Sequence, residues 1–265
     1  MIKNNFKLIV PVVAGVLLGA ALIISPAFAQ TNALGSASSK GKTCTVYSDR
    51  ESKAAANAAA KQAKIDASRA AALAKLDNRR ANADQKLANN RLTADQKRAQ
   101  AVAKLLAKAS TTDAQKVAIA TYKNTVNQAV TDRRTAIDAA IAAYRTAVNQ
   151  ALASRKAGVD QATSTYQAAV TAAYAKALAD CQANVAPKTV RTNLNAALKA
   201  AKQAYDAGRQ SLANLQTIIA PLGKTRQQAI STAEANFKTA VTNATATLKT
   251  AFPPKPCTGS KCKKK

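Results

Sequence analysis

Large apolar residues in the middle of this chain recur in steps of four, four and three. From Tyr122 the steps fall on Val126, Val130, Arg133, Ile137 and Ile141. They return to tyrosine at Tyr144 and run through Val148, Leu152, Arg155, Val159 and Thr163. They return again at Tyr166, before Val170, Tyr174, Ala177, Cys181 and Val185. The tyrosines stand 22 residues apart, so the stretch from Tyr122 to Pro187 reads as three copies of one unit. Eleven residues in three turns is about 3.67 per turn, close to the natural helical 3.6. The stripe therefore stays on one side of a nearly straight helix or supercoils gently to the right, where a heptad would supercoil to the left. It predicts an amphipathic helix packed on a partner helix. Lipid-binding helices also use this period, but here the stripe is narrow and padded with Ala, a weak hold on acyl chains.

The rest of the chain reads as further helices around this one. A helix starts near Arg50, capped by Ser48 or Asp49, and carries Ile65, Leu73, Leu76 and Leu87. Asn89-Asn90-Arg91-Leu92 interrupts the pattern, and Thr93 with Gln96 has the spacing of a capping box. The interruption is either a kink in one arm or a second hairpin turn, and the cysteine spacing below favours the kink. The pattern stops at Ser110-Thr111, and Thr112 with Gln115 repeats the start signal. The repeat helix then runs from 113 to Pro187, which stops it by lacking a donor; residues 113–186 would span roughly 110 Å. A fourth helix is expected from Lys188 to Ile219, a break at Pro221-Leu222-Gly223, and a fifth helix from Lys224 to Ala251. In that last helix Ile230, Phe237 and Val241 copy the spacing of Ile137, Tyr144 and Val148, so it should pack by the same seam. The expected fold is all-α: an elongated antiparallel helical hairpin, a coiled-coil-like bundle of long Ala-rich helices with 22-residue periodicity.

Both ends differ from the middle. Residues 1–29 have the form of a secretory signal peptide: Lys3 and Lys7, an apolar run from Leu8 to Ile24, and Ala27-Phe28-Ala29 before Gln30. The run is slightly long, so an uncleaved anchor is the alternative. Residues 30–48 read as a flexible leader, 49–186 as the hairpin, 187–252 as a two-helix C-terminal segment, and 253–265 as a Pro- and Lys-rich basic tail. The expected location is outside the cytoplasm, secreted or in the cell envelope.

Composition narrows the class. The chain has 265 residues, no Trp and no His, only 4% aromatics, and Ala at about a quarter of all positions. Large side chains are too scarce for an ordinary globular core, whereas Ala favours helices and their close approach. The formal net charge is +27, with 40 Lys and Arg against 13 acids. An imbalance of that size predicts attraction to polyanions: nucleic acid, anionic wall polymer or an acidic membrane surface.

Four cysteines in an exported chain point to disulfides. Cys181 lies on the apolar stripe, and the midpoint of 44 and 181 is 112.5, at the Ser110–Thr112 break. Folding the arms at that break brings Cys44 beside Cys181, pinning the open end of the hairpin. Cys257 and Cys262 would close a small tail loop. Metal binding is the alternative for these thiols, disfavoured by the absence of His.

Candidate chemistry is thin. Arg133 and Arg155 occupy the same place in successive repeats. Either their stems pack with heads reaching water, or they form a basic ladder beside the tyrosines. Lys261, Lys263, Lys264 and Lys265, on a Pro-rich stalk, are the other candidate polyanion contacts. Leu222-Gly223-Lys224-Thr225 and Gly41-Lys42-Thr43 fail as phosphate loops, because Ile218 and Ser36 stand where the first Gly is needed. No His-dependent catalytic set is possible and the carboxylates are scattered, so neither an enzyme nor a cofactor is expected, nor a small-molecule substrate; self-association stays open. The Ala-, Lys- and Gln-rich helices resemble basic periplasmic holdase chaperones and the Ala-rich spacer helices of envelope proteins, without their diagnostic motifs, and no residue role is carried over. The functional expectation is an exported, non-enzymatic polyanion binder. The alternative is an envelope spacer or holdase with no specific polyanion ligand.

Overall fold

The computed structural model describes residues 40–108 and 112–253. The signal-like segment 1–29, the leader up to residue 39, and the tail from 254, with Cys257, Cys262 and Lys261 to Lys265, lie outside the described residues. The described chain is an all-α helical bundle of four helices: α1 (Lys40–Lys108), α2 (Asp113–Gln182), α3 (Pro187–Gln210) and α4 (Leu215–Thr250). It divides into two compact units. One joins the chain up to Ala81 with Arg155–Gln216, and the other joins Asn82–Ser154 with the chain from Thr217.

Every position of the stripe from Tyr122 to Val185 is buried or half-buried, so the eleven-residue phase was read correctly. Its main partner was not. In the first unit Val170, Ala173, Tyr174 and Ala177 of α2 close on Val190, Leu194 and Ala201 of α3, with Tyr47 and Ala54 of α1 at the margin. In the second unit Val126 and Val130 close on Ala244, Phe237 and Val241 of α4, and Ile137 closes on Ile230 and Ala233. The last helix does use the same seam, as its spacing predicts. The residues buried in the core all lie on α2, α3 and α4; among the described residues α1 contributes none. The expectation that the seam zips the two hairpin arms is therefore corrected: 187–252 supplies most of the other half of the core. The physical reason is composition. Large apolar residues are sparse on α1, and Leu73 stays 46% exposed, whereas α3 and α4 offer Val, Leu, Ile, Tyr and Phe at matching intervals.

Helix ends account for the remaining differences. Helix α1 already runs from Lys40, so 40–48 is not a leader, and it continues through 90–93 without a turn. Thr93, read as a cap, instead donates its hydroxyl to the Asn89 carbonyl one turn back. Helix α2 stops at Gln182 rather than at Pro187. Asn184 takes a left-handed backbone (φ 62°), the Val185 amide donates to the Asp180 carbonyl and the Asn184 amide to that of Cys181. This is the Schellman pattern, with Val185 packing into the core as its hydrophobic contact. Pro187 then opens α3, where its missing donor and fixed φ suit a first helical position. The next break falls at 211–214, not at Pro221-Leu222-Gly223. Ser211 caps α3, and the Asn214 side chain accepts from the Gln216 amide to start α4. Pro221 lies inside α4 near its start, and Thr225 donates to the carbonyl of Pro221. Thr112 is the N-terminal cap of α2 through its carbonyl, which accepts from Gln115 and Lys116.

Cys44 and Cys181 meet as the sequence midpoint predicts, with sulfurs 2.01 Å apart and Cα atoms 5.7 Å apart. The bond closes a loop of 137 residues by sequence separation. In the chain-entropy account such a loop contributes on the order of 4–5 kcal/mol. Mass spectrometry of non-reduced peptides should find the 44–181 link. Reduction should lower the denaturation midpoint by an amount within that bound; an unchanged midpoint would mean the helices hold the unit without it.

Candidate polyanion-binding surface

How α1 is held determines which charges face solvent. In the second unit Arg145 lays both terminal nitrogens on the Asp84 carboxylate (2.9 and 2.6 Å), and Arg91 does the same to Asp138 (3.0 and 2.6 Å). Arg134 forks onto Asp95 (3.1 and 2.5 Å) and also donates to the Arg91 carbonyl. In the first unit Arg69 reaches Asp160 at 2.7 Å. The paired numbers share one total, 229 (84 with 145, 91 with 138, 95 with 134, 69 with 160), which defines an antiparallel register between α1 and α2.

The signal for this interface is present in the sequence and was missed. Residues 76–86, LDNRRANADQK, and 87–97, LANNRLTADQK, are two copies of an eleven-residue unit. They place Arg80 and Arg91, and Asp84 and Asp95, at equivalent positions; Arg69 lies one step earlier. Half-burial follows the same four-four-three rhythm, from Ile65 through Arg69, Ala72 and Leu76 to Leu105. Reading 89–93 as an interruption weighted Asn and Thr propensity over this phase; packing and the Arg91–Asp138 fork override propensity there.

The acids are largely consumed by these contacts. Ten of the thirteen take part in ion pairs: Asp66, Asp77, Asp84, Asp95, Asp113, Asp138, Asp160, Asp180, Asp206 and Glu234. Each of the pairs that joins two helices uses Arg. Lys116–Asp113, Lys156–Asp160, Lys176–Asp180 and Lys202–Asp206 each pair along one helix. A flat guanidinium matches a carboxylate with two parallel bonds and tolerates partial loss of water. An ammonium is a strongly hydrated point charge and stays outside.

The seam arginines are likewise engaged by neighbouring parts of the fold. Arg133 sits between Glu234 (3.4 Å) and the Phe237 ring (4.4 Å to its centre), and its Nε is buried without a hydrogen-bond partner. Burial pushes the Arg133 pKa down; Glu234 opposes this, and Arg134, Arg98 and Arg91 add to the fall. Arg155 donates to the Ala213 carbonyl at 2.8 Å, bracing the 211–214 turn. Of the two alternatives for these arginines, both contacts fit the packed one rather than an open basic ladder. The tyrosine ladder is likewise internal: Tyr122 borders the Val126 cluster, Tyr144 carries Arg226 at 4.4 Å, and Tyr166 meets Tyr205 at 5.4 Å. An open groove of about 560 Å³ between α2 and α3 is walled mostly by Ala, with Asn193 and the paired Lys176 and Asp180 as its polar residues.

No family model matches this chain, and no curated protein or solved structure matches it.

Two measurements test this assignment of charges. The Arg145 bond holds the Asp84 carboxyl below its usual range, and the Arg134 bond does so for Asp95. The folded protein therefore binds fewer protons than the unfolded chain. Their contribution is complete above the ordinary Asp pKa of about 3.9 and is lost as pH falls through the lower native values. Replacing both with Asn should cost about 1–2 kcal/mol at neutral pH, and the gap to wild type in denaturant titrations should close as pH falls below about 3.9. For Arg133, a double-mutant cycle of Arg133→Ala with Phe237→Leu should return a coupling of about 0.5–1 kcal/mol; zero coupling would remove the stacking.

Proposed function

We propose that this is an exported, non-enzymatic protein that binds anionic polymers through lysines spread over its surface. The observation that carries this reading is the sorting of its charges. Seven of the ten paired acids are held against arginines, five of those pairs joining two helices, so few carboxylates remain to neutralise the outward lysines of a chain with formal net charge +27. Such a surface attracts polyanions over roughly a Debye length, about 8–10 Å near physiological salt, by the release of condensed counterions. Export rests on the signal-like residues 1–29. It agrees with cysteines at disulfide distance, which suit an oxidising compartment. Among the described residues no helix is long and apolar enough to cross a membrane.

The test is binding to DNA, to poly(glycerol phosphate) and to anionic vesicles across a salt series. Affinity should fall by orders of magnitude between about 50 and 200 mM salt if six or more phosphates are engaged. Absence of binding at low salt, together with suppression of client aggregation, would favour the spacer or holdase reading instead.

A further inference from the structure

The eleven-residue repeat of α1 carries a second feature besides its arginines. Lys53, Lys64 and Lys75 follow one another at that interval, and all three are exposed in the first unit. Lys64 and Lys75 directly precede the half-buried Ile65 and Leu76, so they lie about 100° round the helix from the face that packs. Successive lysines are about 16.5 Å apart along the axis, and the three span about 33 Å. Between them on the same flank stand Asn57, Ala60, Ser68 and Ala71, all small and uncharged. Asp49 stands on this flank one turn before Lys53, and Glu51 two residues before it on the far side. Asp66 and Asp77 come two residues after Lys64 and Lys75. They lie about 200° further round and are engaged by Arg69 and Arg80. The second unit has its own pair of this kind, Lys86 and Lys97, preceding Leu87 and Arg98.

We infer that this flank of α1 in the first unit is a track for the backbone of a phosphodiester chain, bound by charge alone. The inference rests on the polyanion reading and says where, and by what chemistry, the polymer is held. Between Lys53 and Lys75 a chain lying along the flank meets a cation every three turns and no carboxylate. There is no aromatic residue between the lysines, so bases have nothing to stack on. Lysine presents a point charge rather than a planar fork, so it selects neither base edges nor bidentate geometry. No large apolar side chain stands on the flank to enter a bilayer, which disfavours a membrane surface.

The experiment compares two triple variants of the whole protein that lose the same charge. One is Lys53→Gln, Lys64→Gln and Lys75→Gln. The other replaces Lys123, Lys188 and Lys199, also exposed, by Gln. Probes are duplex DNA, single strands of two unrelated sequences, and poly(glycerol phosphate), with anionic phosphatidylglycerol vesicles as the membrane arm. Unchanged helicity and melting confirm that both variants fold. The track variant should bind single strands at least tenfold more weakly at low salt, with its salt slope reduced by roughly 2, since each phosphate contact adds about 0.7 for single strands. The other variant should change much less, and the two single strands should bind alike. Binding to DNA, to poly(glycerol phosphate) or to both identifies the source of the phosphodiester. Equal losses in the two variants would overturn the track while leaving the polyanion reading in place. Sequence preference, or binding to vesicles alone, would also overturn the track; no binding by wild type to any probe would remove the track and the polyanion reading together.

Discussion

An arginine can remain charged while partly withdrawn from water if a carboxylate meets its planar fork, and in this protein that requirement governs how α1 is attached. Helix α1 places no residue in the buried core. What holds it is a half-buried stripe of Ala with a few larger apolar residues, and ion pairs such as Arg91–Asp138 and Arg145–Asp84. Individually such pairs contribute little, within about 1 kcal/mol each at this exposure. Their effect is directional: a fork that fits one carboxylate specifies which turn of α1 lies opposite which turn of α2. Acids retained for this task are unavailable elsewhere, and that sets the character of the remaining surface.

Helix α2 works in both directions. One side presents Val, Ile and Tyr to α3 in the first unit and to α4 in the second. The adjacent side presents Arg134, Asp138, Arg145 and Asp160 to α1. The corner after α2 keeps this economical, because Asn184 accepts the left-handed conformation and Val185 returns at once to the core. At the second corner Leu212 lies over Gly158, where a methyl group would come within 2.4 Å of its Cδ2. The absence of a side chain at 158 is what lets that turn sit close to α2.

The parts legible from sequence were those expressed by phase. The 22-residue tyrosine spacing predicted which side of α2 is buried, and the midpoint of 44 and 181 located both the turn and the cystine. Two kinds of feature were not legible. The identity of the partner across a seam depends on which other helix has complementary bulk, and periodicity alone does not compare candidates; Leu194, Tyr205 and Phe237 outcompete the sparse apolar residues of α1. Local stop signals also misled where packing overrode them. Asn89-Asn90 and Thr93 stayed helical, and Pro221 was absorbed near the start of α4, while the true break at Ser211–Asn214 carried weaker signals. For the candidate site, Arg133 and Arg155 were noticed because they interrupt an apolar stripe. That interruption signified internal pairing, which the positions of Glu234 and Ala213 decide.

The repetition in α1 has a further consequence. A scale whose marks recur can be aligned at more than one offset. Displacing α1 by one eleven-residue interval would set Arg80 against Asp160 and Asp95 against Arg145, pairings of the same kind as those observed. The displaced alignment keeps two such pairs where the native one has four, and leaves Arg134 opposite Leu106 and Asp138 opposite Val102, so the charges favour the native alignment but leave a partial copy one interval away. Cys44 and Cys181 have no duplicates along the scale, so their bond distinguishes the native alignment from its near-copies.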